Sequence, residues 1–477
     1  MRIRPAIAFL ALLVAGRVFA QSAPATFEHP WRAPSTLHVD KDSKHLRESK
    51  FSVEPDRTYS LAELIELAEA HNPQTRVAWA NARAEAAALG IARSELYPVL
   101  SAVALSGVDC SEVPLGSQFY RQTVPVLQAS LDLNYTIFDF GARRGRITAE
   151  SARLLATNFT FNDVHRKLIY QVQQAYYSLL NATGQEVAAR ASLANAQAVQ
   201  QAAEARLNNG LATLPDALEA RSATAQAQYD LQAVLEREKI DRGCLSTALG
   251  ASATAMIRVQ PLSEVPTPES VDDSVKAAID RALDQRPDLQ AEVAGIREAM
   301  AQRKEARAAL YPSLTVNANP TAQSSYVQQQ NLPWGRTSDL TGGAALSLNW
   351  TVFDGGARKS RLAQAEAEIR RAEAQVSATH DQIEDEVWAA YSNLDTAFRQ
   401  RDAATALLDA ATQSYAAALE SYNYGVRNLL DLTAAQKVLA QARSQDILAR
   451  TQVLTAVADL AFRAGDSIRA NARKTRP

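Results

Sequence analysis

Residues 131–146 read LDLNYTIFDFGARRGR, and residues 346–361 read LSLNWTVFDGGARKSR. Each stretch has two halves of opposite character. Before the Phe-Asp pair, apolar and polar residues alternate, which is the period of a strand with one apolar face. After it comes a Gly-Ala-Arg turn into long tracts rich in Ala, Gln, Glu and Arg, the composition of helix. Asp139 and Asp354 stand at the changeover, where a carboxylate can cap the helix that follows. Gly141 and Gly356 ease the turn. The phrase therefore reads as a strand–helix joint, and the chain has two.

The duplication extends outward from the joints. ARSELYPVLS at 92–101 returns as ARAALYPSLT at 306–315, AHNPQ at 70–74 aligns with DQRPD at 284–288, and Gly210 and Asp216 return as Gly425 and Asp431. The offset stays at 214 or 215 residues, so the chain holds two copies of one unit. The first repeat spans 58–250 and the second 273–466, with a Pro-containing linker at 251–272 and a basic tail at 467–477. Each repeat predicts the same order. A helix comes first, over 60–96 and again over 273–310. Two strands follow, near 312–324 and 340–353 in the second repeat. Then come a long helix (141–207 and 356–422), a break at Gly210 or Gly425, and a returning helix (214–248 and 429–464). Ser60 and Glu63 have capping-box spacing at the first helix start. Pro98 ends that helix, because proline disfavours the helical conformation in the residue before it. At 1.5 Å per residue each long helix is about 100 Å.

The ends carry other signals. Arg2 and Arg4 precede an apolar run at 6–16 and a small-residue site ending at Ala20, so residues 1–20 read as a secretory signal peptide, with a retained anchor helix as the other reading. Residues 21–57 form an extended segment. The only cysteines, Cys110 and Cys244, fall in different regions and are expected unpaired. The formal net charge of -2 over 477 residues excludes a nucleic-acid backbone as main partner. The six histidines have no metal-ligand spacing, and no phosphate loop or nucleophile elbow is present. No cofactor, metal or enzyme activity is implied.

The strands speak more clearly. Leu127, Ala129, Leu131, Leu133, Tyr135 and Ile137 share one face, opposite Gln128, Ser130, Asp132, Asn134 and Thr136. In the second repeat Leu346, Leu348, Trp350 and Val352 oppose Ser347, Asn349 and Thr351. Such strands fit a membrane β-barrel around water, and equally a half-buried sheet in a soluble protein. Four strands cannot close a barrel, and an open edge in lipid leaves backbone groups unpaired, so the membrane reading requires several chains. Two chains bring eight strands and three bring twelve, and only the larger barrel leaves an open lumen.

With these motifs in order, the chain resembles the TolC family of outer membrane efflux and secretion channels. The resemblance rests on the duplicated YPxL, FDxGAR and G-x5-D motifs and covers residues 58 to about 466. It implies a mainly α fold with a membrane β portion. The family fold is a homotrimer whose shared 12-stranded outer membrane β-barrel is continuous with a long periplasmic α-helical barrel. The linker 251–272 would lie in its equatorial belt. The resemblance also implies a periplasmic adaptor protein, an inner-membrane transporter and outer membrane lipid as partners. The function it implies is that of a passive gated conduit in tripartite efflux or type I secretion, with solutes ahead of proteins as cargo. The other reading is a periplasmic coiled-coil scaffold or adaptor without a pore.

The family's periplasmic gate falls on Tyr422, Arg427 and Asp431, with Asp216 as the first-repeat counterpart. Both aspartates also have the spacing of helix N-caps. Ala434 stands where some members carry a second aspartate, which bears on cation sensitivity. Adaptor docking falls on Gly210, Leu211, Gly425 and Val426, which equally suit simple interhelical turns. Arg143, Arg146, Arg358 and Arg361 are expected to face headgroups or a neighbouring chain.

Overall fold

In a computed structural model the two repeats have helices of matching length. The first contains α1 (Leu61–His71, 11 residues), α2 (Pro73–Ser94, 22), α3 (Ala142–Asn208, 67) and α4 (Leu214–Ala248, 35). The second contains α5 (Val275–Gln285, 11 residues), α6 (Pro287–Ala308, 22), α7 (Ala357–Asn423, 67) and α8 (Leu429–Arg463, 35). The structure describes residues 53–54, 56–268, 274–329 and 333–466. The signal peptide, most of the N-terminal segment, residues 269–272 of the linker, residue 273 and the tail 467–477 lie outside the described residues.

The helix expected over 60–96 is two helices, and so is that over 273–310. Asn72 and Arg286 adopt extended backbone (ψ 130° and 122°) because each precedes a proline, and Pro73 and Pro287 then open the next helix. The rule that stops the helix before Pro98 acts here too. Ser60 caps α1 as its spacing implies, with reciprocal bonds to Glu63.

The first repeat supplies two long antiparallel strands, β2 (Val99–Leu115) and β3 (Gln118–Phe138). In the second repeat the expected two strands are four: β5 (Ser313–Ala318), β6 (Thr321–Gln329), β7 (Gly335–Thr341) and β8 (Ala344–Asn349). Pro320 and the Gly342-Gly343 pair interrupt one long hairpin, because proline has no N–H to donate to a ladder. The sheet is thus four ribbons wide: β2, then β3, then β5 with β6, then β8 with β7. Among the described residues the outer edges of β2 and of β7 and β8 have no partner strand.

The faces of this sheet are inverted relative to a soluble one. Leu127 and Leu131 are 60% and 47% exposed, and Leu346 and Leu348 are 63% and 68% exposed. Gln128, Ser130, Asp132 and Ser347, on the polar face, are half-buried. A sheet on a water-soluble core would reverse that order. No helix among the described residues is long and apolar enough to cross a membrane.

Away from the sheet, the same core occurs twice. Leu64 and Ala68 of α1 pack on Leu168 and Val172 of α3. Ala278 and Ala282 of α5 pack on Ile383 and Val387 of α7. Each fully buried Leu, Ile or Val contributes about 2 kcal/mol. The short parallel pair β1 (Thr58–Tyr59) and β4 (Arg258–Val259) draws the linker onto the first core, where Ile257 is buried.

A charged network joins the repeats. Arg166 of α3 is 1% exposed. It donates to Asp163 at 2.6 Å and to the Phe462 carbonyl at 2.9 Å, and lies 3.4 Å from Asp288 of α6. Arg286 bridges Asp288 (2.6 Å) and Glu386 of α7 (2.7 Å), and Arg463 of α8 reaches Glu386 at 2.9 Å. Burying a guanidinium is costly unless it is paired and hydrogen-bonded, as here. Arg166→Ala leaves the buried Asp163 with Lys167 (2.7 Å) as its remaining ion-pair partner and is expected to cost about 3 kcal/mol, read as a lowered thermal midpoint. Arg166→Met loses less, because the apolar stem still packs. Burial pushes the Asp288 and Glu386 carboxyls up, but Arg286 outweighs it and holds both below their ordinary values. Their stabilisation is present above about pH 5 and lost as the pH falls through the lowered values, so thermal stability should drop below about pH 4. Stability unchanged between pH 6 and 3 would contradict this.

Candidate functional site at the joints and the helical tips

Each joint is built by one aspartate two residues before the helix N-cap. Asp139 accepts from the Gly141 N–H (3.1 Å), the Arg143 N–H (3.0 Å) and Arg143 Nε (2.8 Å). Asp354 accepts from Gly356 N–H (3.1 Å), Arg358 N–H (3.0 Å) and Arg358 Nε (2.8 Å). Gly141 and Gly356 are the N-cap residues, at φ 92° and 88°, where a Cβ would be strained. Burial pushes the Asp139 carboxyl up, but the Arg143 and Gly141 donors outweigh it and hold it low. The Arg358 side chain, followed by the N–H donors, holds Asp354 low.

The arginines behave differently from expectation. Arg143 and Arg358 turn back onto these aspartates, so the joint is locked from within its own chain. Arg146 pairs with Glu95 of its own repeat (2.6 Å) and Glu305 of the other (2.8 Å). Gly145 permits that approach, since a Cβ there would stand 2.8 Å from the Glu305 backbone nitrogen. Phe140 stacks on Tyr311 of the second repeat at 4.9 Å. Arg361 is exposed, and alone of the four its side chain makes no hydrogen bond or ion pair among the described residues.

At the far ends of α3 and α7 the repeats diverge. In the first tip Thr213 and Asp216 form a capping box: the Thr213 hydroxyl and N–H donate to the Asp216 carboxylate at 2.7 and 2.9 Å. Those bonds, the hydroxyl's first, hold Asp216 below the usual carboxylate range. In the second tip Asn428 caps α8 by accepting from the Asp431 N–H at 2.9 Å. The Asp431 side chain is left exposed, without a hydrogen bond or ion pair among the described residues. Arg427 is exposed as well. Asp431 and Arg427 do not pair within the chain, and Asp216 is occupied as a cap.

Tyr422 is buried among Val199, Ala203 and Ala220 of the first hairpin and Leu429 and Leu432 of the second. Arg206 of α3 lies over its ring, 4.7 Å from the centroid, and donates to its carbonyl at 2.5 Å. Burial pushes the Tyr422 hydroxyl up, with Arg206 opposing. Sequence reasoning missed Arg206. Its only local signal is a basic residue in the last turn of a helix, and it has no basic counterpart in the second repeat, where Ser421 stands. Gly210, Leu211, Gly425 and Val426 form the tight turns, with Leu211 and Val426 70% and 79% exposed. Cys110 and Cys244 are both exposed and free. Among the described residues no three His, Cys, Asp or Glu side chains are grouped to hold a metal ion.

Asp139→Ala removes the acceptor for two backbone donors that α3 itself cannot satisfy. It should speed hydrogen exchange at the Gly141 and Arg143 amides at least severalfold, and cost about 1 kcal/mol of local stability. Unchanged exchange would mean the turn is held by Gly141 and packing alone.

The comparisons with known proteins agree with this architecture. The family model described as outer membrane efflux protein matches residues 64–251 and 278–466. Protein CyaE of Bordetella pertussis is 30% identical over 409 residues, covering 85% of this chain and 84% of that protein. The pyoverdine export outer membrane protein OpmQ of Pseudomonas putida is 26% identical over 65% of each chain. The solved outer-membrane channel OprN shares the fold, with a TM-score of 0.75 at 20% identity over 92% of this chain and 98% of OprN. The chain belongs to the outer membrane efflux protein family, and its sheet, joints and paired helices are those of a TolC-like outer membrane channel.

Proposed function

We propose that three copies of the chain form one conduit, each contributing four strand ribbons to a shared barrel of twelve and its long helices to a periplasmic tube. The observation that carries this reading is the sheet. Leu127, Leu131, Ile137, Leu346 and Leu348 are exposed on it, and both of its edges lack partners among the described residues. In hydrocarbon each unpaired backbone group costs several kcal/mol, so lipid favours closure by further copies. The repeats 58–250 and 273–466 then supply matching sixths of the wall, with the linker 251–272 in a belt around it. Mild detergent extraction of an outer membrane fraction should yield a heat-resistant trimer. A soluble monomer recovered from a periplasmic extract would overturn the proposal and favour a scaffold without a pore.

Within that assembly Tyr422, Arg427 and Asp431 form the periplasmic gate, with Asp216 as a cap that shapes its neighbour. The free, exposed side chains of Asp431 and Arg427 support this, since both remain available to neighbouring copies. The turns at Gly210-Leu211 and Gly425-Val426 dock a periplasmic adaptor, which connects the channel to an inner-membrane transporter. The chain itself is a passive conduit without chemistry of its own. Cargo is selected by the transporter, with solutes ahead of proteins, in keeping with the pyoverdine export named for OpmQ. Asp431→Ala and Arg427→Ala should each raise single-channel opening in planar bilayers. Asp431→Ala should also remove inhibition by multivalent cations, which Ala434 already limits to one acidic residue per copy. Wild-type conductance, opening and cation response in both variants would remove these residues from the gate.

A further inference from the structure

Arg206 lies where two helix C-termini meet. It belongs to the last turn of α3 and reaches the last turn of α7, which is 216 residues away in sequence. Both helix ends carry partial negative charge, which a cation between them offsets. Its guanidinium makes two different contacts with Tyr422: one with the ring face and one with the main-chain carbonyl. Neither contact uses the Tyr422 hydroxyl. The Tyr422 carbonyl already accepts from the Gly425 N–H at 2.9 Å, so Arg206 also ties down the tight turn.

The arrangement occurs once per chain. The counterpart of Arg206 in the second repeat is Ser421, whose short side chain cannot bridge to another helix. Arg206 also projects from the stiffer hairpin. Glu204 of α3 pairs with Arg221 of α4 at 2.7 Å, and Gln200 donates to Glu204 at 3.0 Å. The corresponding positions in the second hairpin are Leu419 and Gln436, which cannot form an ion pair. An anchored arginine thus holds a less braced hairpin by its terminal tyrosine.

We propose that Arg206 is the catch of the closed tip: a positioning residue that holds the α7–α8 hairpin against the α3–α4 hairpin through the ring face and carbonyl of Tyr422. This inference rests on the gate lying at the tips. It differs from the gate assignment in the residue that acts and in the part of Tyr422 that is gripped.

The test uses the full-length channel in planar lipid bilayers. Arg206→Ala should raise the open fraction about tenfold, since it removes a cation–π contact and a charged hydrogen bond together. Arg206→Lys should fall between, because an ammonium can cover the ring but lacks the planar fork that reaches the carbonyl as well. Tyr422→Leu should open the channel about as much as Arg206→Ala, and Tyr422→Phe clearly less than Tyr422→Leu. The double variant Arg206→Ala/Tyr422→Leu should open no more than either single one. A wild-type open fraction in Arg206→Ala overturns the catch, as does Tyr422→Phe opening as far as Tyr422→Leu. Opening by Arg206→Ala with wild-type behaviour in Asp431→Ala and Arg427→Ala supports the catch while removing those two residues from the gate.

A second readout avoids the bilayer. With Cys110 and Cys244 replaced by Ser, spin labels on Leu211→Cys and Val426→Cys report the distance between the two turns. The distribution should widen and lengthen in Arg206→Ala. An unchanged narrow distribution overturns the proposal.

Discussion

A strand edge in hydrocarbon has no water to satisfy its N–H and C=O groups, and this constraint governs the layout of the chain. Four ribbons with bare Leu127, Leu131, Leu346 and Leu348 cannot be a finished structure in either solvent. In water the apolar face is unprotected, and in lipid the edges of β2, β7 and β8 are. Every other element serves to present this sheet at the end of helices about 100 Å long. The joints carry that burden, which explains why both have the same construction. One carboxylate satisfies two backbone donors that the helix leaves over, and an arginine one turn later closes on it.

Duplication sets the framework, and divergence sets the behaviour. Helices of 11, 22, 67 and 35 residues recur in order, and the cores around Leu168 and Ile383 are equivalent. Beyond the joints, the charged groups do not recur in this way. Arg166 is buried where α3 meets α6, whereas the corresponding residue of α7 is Asp381, which is exposed. Arg146 is paired across the repeats, whereas Arg361 is free. A seam inside one chain folds with its partner always present and tolerates buried charge. The matching face of α7 carries no such buried pair.

The tips repeat the lesson on a smaller scale. Thr213 and Asn428 occupy the same cap position, yet they leave opposite results. The Thr213 hydroxyl and N–H draw in the Asp216 carboxylate, while the Asn428 amide serves the helix alone and leaves the Asp431 carboxylate unused. A one-residue difference in cap chemistry thus decides which aspartate is available to another chain.

The residues alone determined much of this protein. Alternation marked the strands, Asp139 and Asp354 marked the helix starts, Gly210 and Gly425 marked the tips, and the constant offset marked the repeats. These features act within a few residues of one another, so a linear reading captures them. The same kind of reading overlooked Asn72-Pro73 and Pro320, where local rules applied but the longer helical and strand patterns masked them. Arg166 against Phe462, Arg286 against Glu386, and Arg206 against Tyr422 were not legible at all. Each pair lies at least 100 residues apart in sequence. An arginine in a polar helix looks solvated until packing removes its water. Periodicity reports which face a residue occupies, and only the tertiary structure decides what lies opposite that face.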